Sequence, residues 1–79
     1  MILLLILNLK RLKKLRKAKM TLSEMSAKLG FKSQNGYYYL ETGRNKISAE
    51  ILAKVADILE VPIQNFFDDM PLKNENENK

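Results

Sequence analysis

The chain contains neither cysteine nor histidine. It can therefore form no disulfide, build no Cys/His zinc site and run no cysteine- or histidine-based catalysis. It also lacks a paired acid/base constellation, a cluster of metal ligands and a glycine-rich loop that could cradle a phosphate. At 79 residues there is room for one small domain with a modest core and little room for a cleft. The expectation is a non-enzymatic chain with no metal, no cofactor and no small-molecule substrate. A core this small and unstapled must rely on good helix packing or on dimerisation. No internal repeat is evident, and no strand pattern appears within residues 9–67.

Long apolar runs are absent too. The longest, Met1-Ile2-Leu3-Leu4-Leu5-Ile6-Leu7, falls far short of the ~20 residues a membrane span needs. It has no basic segment before it and no small-residue cleavage site after it. This predicts a cytoplasmic protein that is not membrane-bound.

What the chain has in excess is positive charge, and that charge is unevenly placed. Residues 1–46 carry 11 Lys/Arg against Glu24 and Glu41, giving +9. Residues 47–79 carry 3 Lys against seven acids, giving −4. A basic half joined to an acidic half suggests one surface for a polyanion and another facing solvent.

Helix signals punctuate the chain. Asn8 can cap a helix starting at Leu9, in which Leu9, Leu12, Leu15 and Arg16 share one stripe. Lys10, Lys13, Lys14 and Lys17 lie opposite, with Arg11 at the margin. Arg16 thus sits inside an apolar stripe and needs a partner, because an unpaired buried charge costs several kcal/mol. Thr21 and Glu24 form a capping box, and Met20 and Met25 occupy the positions of a hydrophobic staple. Gly30 supplies a left-handed stop. Phe31-Lys32 make a turn, Ser33 caps a third helix and Gly43 ends it. Ser48 caps a fourth helix whose Ile51, Leu52, Val55, Ala56 and Leu59 form a broad apolar stripe. Pro62 opens a short fifth helix, and Ile63, Phe66 and Phe67 close over the core. From Asp68 the chain turns polar, and a disordered tail is expected.

The third helix separates into two faces. Gln34, Asn35, Tyr38, Tyr39 and Thr42 share one side; Gly36, Tyr37, Leu40 and Glu41 share the other. Asn and Gln amides at the start of such a helix can bond adenine through N6 and N7 in the major groove. Gln34 and Asn35 are the leading base readers. Tyr38, one turn on, could donate to a phosphate or press on a thymine methyl. Helix N-termini and nearby cations supply phosphate contacts, which points to Thr21, Lys32, Ser33, Tyr39, Arg44, Asn45 and Lys46.

The pattern resembles the phage-repressor-like, Cro/CI or XRE-type helix-turn-helix proteins over roughly residues 9–67. The resemblance rests on Leu12-Lys13-Lys14-Leu15-Arg16-Lys17, Met20-Thr21, Met25-Ser26, Gly30 and Leu40-Glu41-Thr42-Gly43-Arg44-Asn45. It continues through Ser48, Leu52, Val55-Ala56, Leu59, Val61 and Phe66-Phe67. It implies an all-α, compact five-helix bundle in which the second and third helices form the DNA-reading unit, with the third in the major groove. It also implies that Arg16 pairs with Glu41, the two charges already found on packing faces. Function is implied as sequence-specific double-stranded DNA binding by a transcriptional regulator, a repressor. The chain departs from the pattern in four ways. Leu22 stands where the family usually has a phosphate-touching Gln, and Glu60 stands where Gly usually ends the fourth helix. Ile47 stands where Pro is common, and the two turns flanking the second helix differ by one residue each.

The expected organisation is an apolar arm at 1–8, the helix-turn-helix domain at 9–67 and a polar disordered tail at 68–79. Such domains usually read paired half-sites, so a homodimer is expected, with Met1–Leu7 as the candidate interface. The arm could pair as a strand with its copy, extend a helix, or cap the domain's own core. Two other function classes stay open at this level. One is a protein-interaction module such as an antitoxin or partner-binding regulator. The other is a membrane-surface peptide, which leaves the capped helices after Met20 unexplained.

Overall fold

Capping side chains open three of the four helices. The computed structural model describes residues 3–71. Its elements are strand β1 (Leu3–Leu7), helices α1 (Leu9–Lys17), α2 (Leu22–Leu29), α3 (Gln34–Glu41) and α4 (Ala49–Leu59), a 3-10 turn (Ile63–Phe66), and strand β2 (Phe67–Pro71). Asn8 Oδ1 accepts from the Arg11 amide at 2.9 Å and opens α1. Thr21 and Glu24 bond each other's backbone amides reciprocally and open α2. Those bonds, the backbone one first, hold the Glu24 carboxyl below the usual carboxylate range. Ser48 Oγ accepts from the Ile51 amide and opens α4. Ser33 precedes α3 in the same extended conformation, but its side chain makes no capping bond.

Two helices, α2 and α4, end on left-handed residues. Gly30 follows α2 with φ 88°. Glu60 follows α4 with φ 60°, and is the one non-glycine residue with positive φ among the described residues. The Lys19 ammonium donates to the Leu59 carbonyl and satisfies one of the acceptors that the end of α4 leaves free. The core joins Leu12 from α1, Met25 from α2, Tyr37 from α3, four residues of α4 and Phe66 of the 3-10 turn. No helix among the described residues is long and apolar enough to cross a membrane.

Two expectations need correction. The architecture is neither all-α nor a five-helix bundle: it has four α-helices, a 3-10 turn and a two-stranded antiparallel sheet. Pro62 is extended (ψ 140°), and only Ile63–Phe66 follow it before the chain extends again, too few residues for an α-helix to propagate. Residues 68–71, expected within a disordered tail, belong to β2 and pair with β1 in the register Leu7↔Phe67, Leu5↔Asp69 and Leu3↔Pro71. Asn8 Nδ2 and Arg11 Nη2 both donate to the Asp68 carboxylate, at 2.9 and 2.5 Å, and fix the start of that strand. These bonds, from Asn8 first and then Arg11, hold the Asp68 carboxyl below its usual range. Met1, Ile2 and residues 72–79 of the expected arm and tail lie outside the described residues.

The buried charge of α1 is met from α3. Arg16 Nε donates to Glu41 Oε2 at 3.0 Å, and Nη2 donates to Oε1 at 2.7 Å. Arg16 Nη1 also donates to the Met20 carbonyl at 3.1 Å, so one guanidinium joins α1, α3 and the α1–α2 turn. The two side chains are only 6% and 2% exposed. The bonds to Glu41 are the main cause that raises the Arg16 pKa still further.

Two stability outcomes follow. Glu41→Ala strands the Arg16 guanidinium in the core and should cost roughly 3–5 kcal/mol. Replacing both residues with apolar ones (Arg16→Met with Glu41→Leu) should restore much of that loss. Urea unfolding followed by circular dichroism distinguishes the two, and a double variant as weak as the single one would contradict the account. Glu60→Gly relieves the left-handed strain and should stabilise the fold by about 1 kcal/mol in the same assay.

Candidate nucleic-acid interface

The exposed side of α3 is fixed by what lies beneath it. Tyr37 and Glu41 are buried, and Gly36 and Leu40 are half-buried. Gln34, Asn35, Tyr38 and Thr42 are exposed, and Tyr39 is half-buried. The Tyr37 hydroxyl finds no hydrogen-bond partner among the described residues. Burial first, and then the nearby Glu41 carboxylate, push its pKa far above the usual phenol range, so it stays neutral.

α2 and α3 approach each other closely at the first turn of α3. A Cβ added at Gly36 would lie 2.8 Å from Phe31 Cδ1 and 3.1 Å from Phe31 Cβ, too near for any other residue unless the Phe31 side chain shifts. Ser26 is 2% exposed, and its hydroxyl donates to the Gln34 carbonyl at 3.2 Å. The first turn of α3 is thus tied to the middle of α2. Sequence reasoning used Ser26 for the family resemblance and Gly36 as part of one side of the third helix, and missed this positioning role. A glycine inside a helical pattern was the available signal, since it marks a close approach more often than a free choice.

Two clusters of the expected contact residues lie along α3. At its start, an open groove of about 730 Å³ is lined by Lys13, Lys17, Thr21, Leu22, Glu24 and Gln34, among others. Leu22 is half-buried and packs on the core, so this position offers an apolar side chain in place of a polar one. Lys32, Ser33 and Asn35 are exposed beside it. At the other end, the Arg44 guanidinium carbon stands 4.6 Å from the centroid of the Tyr39 ring. A cation over an aromatic face is attracted by the ring quadrupole, which favours one placement of that guanidinium. Tyr38 and Tyr39 meet in a tilted pair, with centroids 5.9 Å apart. The Asn45 amide donates to the Tyr39 carbonyl at 3.0 Å, and Thr42 Oγ1 donates to the Tyr38 carbonyl at 3.0 Å. The loop carrying Arg44, Asn45 and Lys46 is exposed along the end of α3. Among the described residues, no group of Asp and Glu side chains is arranged to hold a metal ion.

A surface of amide and phenol groups on a short helix, flanked by cations at both ends, has the chemistry to bond base edges and phosphates together. Comparison with known proteins gives one match: the family model described as Helix-turn-helix, over residues 12–66. No curated protein and no solved structure matches the chain. The matched span runs from Leu12, the core residue of α1, to the end of the 3-10 turn, and it contains both α2 and α3. The chain belongs to the XRE-type, Cro/CI-like helix-turn-helix family, a family of DNA-binding transcription regulators.

Proposed function

We propose that this chain is a cytoplasmic, sequence-specific repressor that reads the major groove of double-stranded DNA with α3, acting as a homodimer on paired half-sites. The observation that carries the reading is the two-sidedness of α3: Gln34, Asn35 and Tyr38 are exposed, while Tyr37 and Glu41 anchor the opposite side in the core.

Each group then has a role. Gln34 and Asn35, on the first turn, bond base edges, and Tyr38 reaches a base methyl or a phosphate from the next turn. Thr21, Lys32 and Ser33 meet one phosphate stretch near the start of α3. The Ser33 hydroxyl, which makes no capping bond, is free to donate there. Tyr39, Arg44, Asn45 and Lys46 meet the backbone at the other end, with Tyr39 holding the Arg44 guanidinium in place. Leu22 takes no part in polar contact, so the phosphates near α2 are held by Thr21 and the adjacent lysines. Repression follows if the occupied half-sites overlap a promoter, because a bound dimer then blocks access to it.

A selection from random duplexes at physiological salt, followed by binding measurements, tests the assignment. Gln34→Ala should lose ~1–3 kcal/mol of discrimination at one base pair and leave other positions unchanged. Unchanged specificity in that variant would remove Gln34 from the readers. Arg44→Ala should weaken all sequences alike and lower the slope of log affinity against log salt by about 0.9.

A further inference from the structure

The ribbon of β1 and β2 has two outer edges, and they are built differently. In an antiparallel ladder, facing pairs alternate between those that bond each other and those whose N–H and C=O groups point outward. The Asn8 amide donates to the Phe66 carbonyl at 2.7 Å, one step beyond the Leu7↔Phe67 pair. Ile6/Asp68 and Leu4/Met70 are therefore the mutually bonded pairs. Leu3, Leu5 and Leu7 turn their backbone groups to the outer edge of β1, and Phe67, Asp69 and Pro71 turn theirs to the outer edge of β2. Arg11 Nη1 lies 3.4 Å from the Phe67 carbonyl, which fits this phase.

The β2 edge is closed to further pairing. Arg11 covers the Phe67 carbonyl, Asp69 places a charge on it, and Pro71 has no N–H to give. The β1 edge has none of these devices. No described residue bonds the outward groups of Leu5 or Leu7. β1 is apolar on both faces: Leu5, on one face, is 65% exposed, and Ile6, on the other, is 40% exposed. An uncharged, unblunted edge of this kind is a template for another strand.

We propose that β1 pairs edge to edge with β1 of a second copy, antiparallel about a two-fold axis at Leu5, to give a continuous four-stranded sheet. This deepens the dimeric reading above and rests on it. A two-fold contact is self-complementary: Leu5 faces Leu5 of the second copy, and Leu3 faces Leu7. Charge selects this arrangement. Pairing through β2 would set Asp69 against Asp69, whereas β1 carries no charge to repel its copy or to attract a charged foreign strand. An open groove of about 420 Å³, with Leu7, Leu9, Leu40 and Ile47 in its lining, lies beside the end of β1. The start of the second copy's strand arrives at that end.

Charge reversal at the axis tests the pairing. Leu5 is largely exposed in the single chain, so Leu5→Lys and Leu5→Glu should leave the helical circular dichroism unchanged. The unsubstituted chain should sediment as a dimer, each variant alone as a monomer, and an equimolar mixture of the two variants as a dimer again. On a duplex with two half-sites both variants should lose roughly 10²-fold in affinity despite their opposite charges, while binding to one half-site is kept. A monomeric unsubstituted chain, a dimeric Leu5→Lys variant or a mixture that stays monomeric would each overturn the pairing. Single half-site binding would then still stand. A dimer restored by mixing, but blind to DNA, would support the pairing and refute the DNA reading instead.

Discussion

The buried pair of Arg16 and Glu41 is the constraint on which the arrangement depends. It is bidentate, almost wholly removed from water, and joined by a third bond from Arg16 to the Met20 carbonyl. A buried pair of this kind is weak evidence for stability, because desolvation offsets much of its attraction. Its value here is geometric. Two charges that cannot be left apart in the core allow one relative placement of α1 and α3, and that placement decides which side of α3 faces outward. The neutral Tyr37 phenol beside them reinforces the choice, since rotating α3 to expose it would bury the polar face.

α3 needs such external fixing because little in its own sequence makes it a helix. It contains Gly36 and Asn35, both poor helix formers, and three consecutive tyrosines with only moderate propensity. Ser33 makes no capping bond, and the helix is only eight residues long. An isolated helix of that length does not persist in water. Its order comes from Tyr37 and Glu41 in the core, from the Ser26 bond to Gln34, and from the contact of Gly36 with Phe31. The positions that weaken the helix therefore let it approach α2 closely. The exposed face of α3 is placed by its neighbours.

How much of this was legible in the chain depends on the range of each interaction. The capping side chains Asn8, Thr21 and Ser48 act within three residues, and Gly30 acts on its own backbone, so their signals stand in the local sequence. The two faces of α3 followed from helical spacing alone. The left-handed Glu60 was visible as a departure from the usual glycine, and the structure shows the helix ending there regardless. The ribbon was not legible. Leu7 and Phe67 are paired although they lie sixty positions apart, and neither strand carries an alternating pattern that a window could detect. β2 reads as polar because Asp68 and Asp69 dominate it, and only the bonds from Asn8 and Arg11 reveal that Asp68 belongs to an anchored strand. For the same reason Pro62 read as a helix start, although Phe67 had already been recruited into the sheet.

α1 links these two halves of the molecule. At its first turn, Asn8 and Arg11 hold β2 through Asp68; near its last turn, Arg16 holds α3 through Glu41. Arg11 and Arg16 are five residues apart on one helix, about 7.5 Å along its axis. A helix that short does not bend appreciably, so the ribbon and α3 are set at a fixed relation by one rigid element. A contact made by the ribbon is therefore transmitted to α3 as a position, with no change of shape required. If two copies join through β1, the separation of their α3 helices is determined by this geometry. Arg11, which covers the Phe67 carbonyl at the β2 edge, thus also ties β2 to α1 through its bonds to Asn65, Phe67 and Asp68 together.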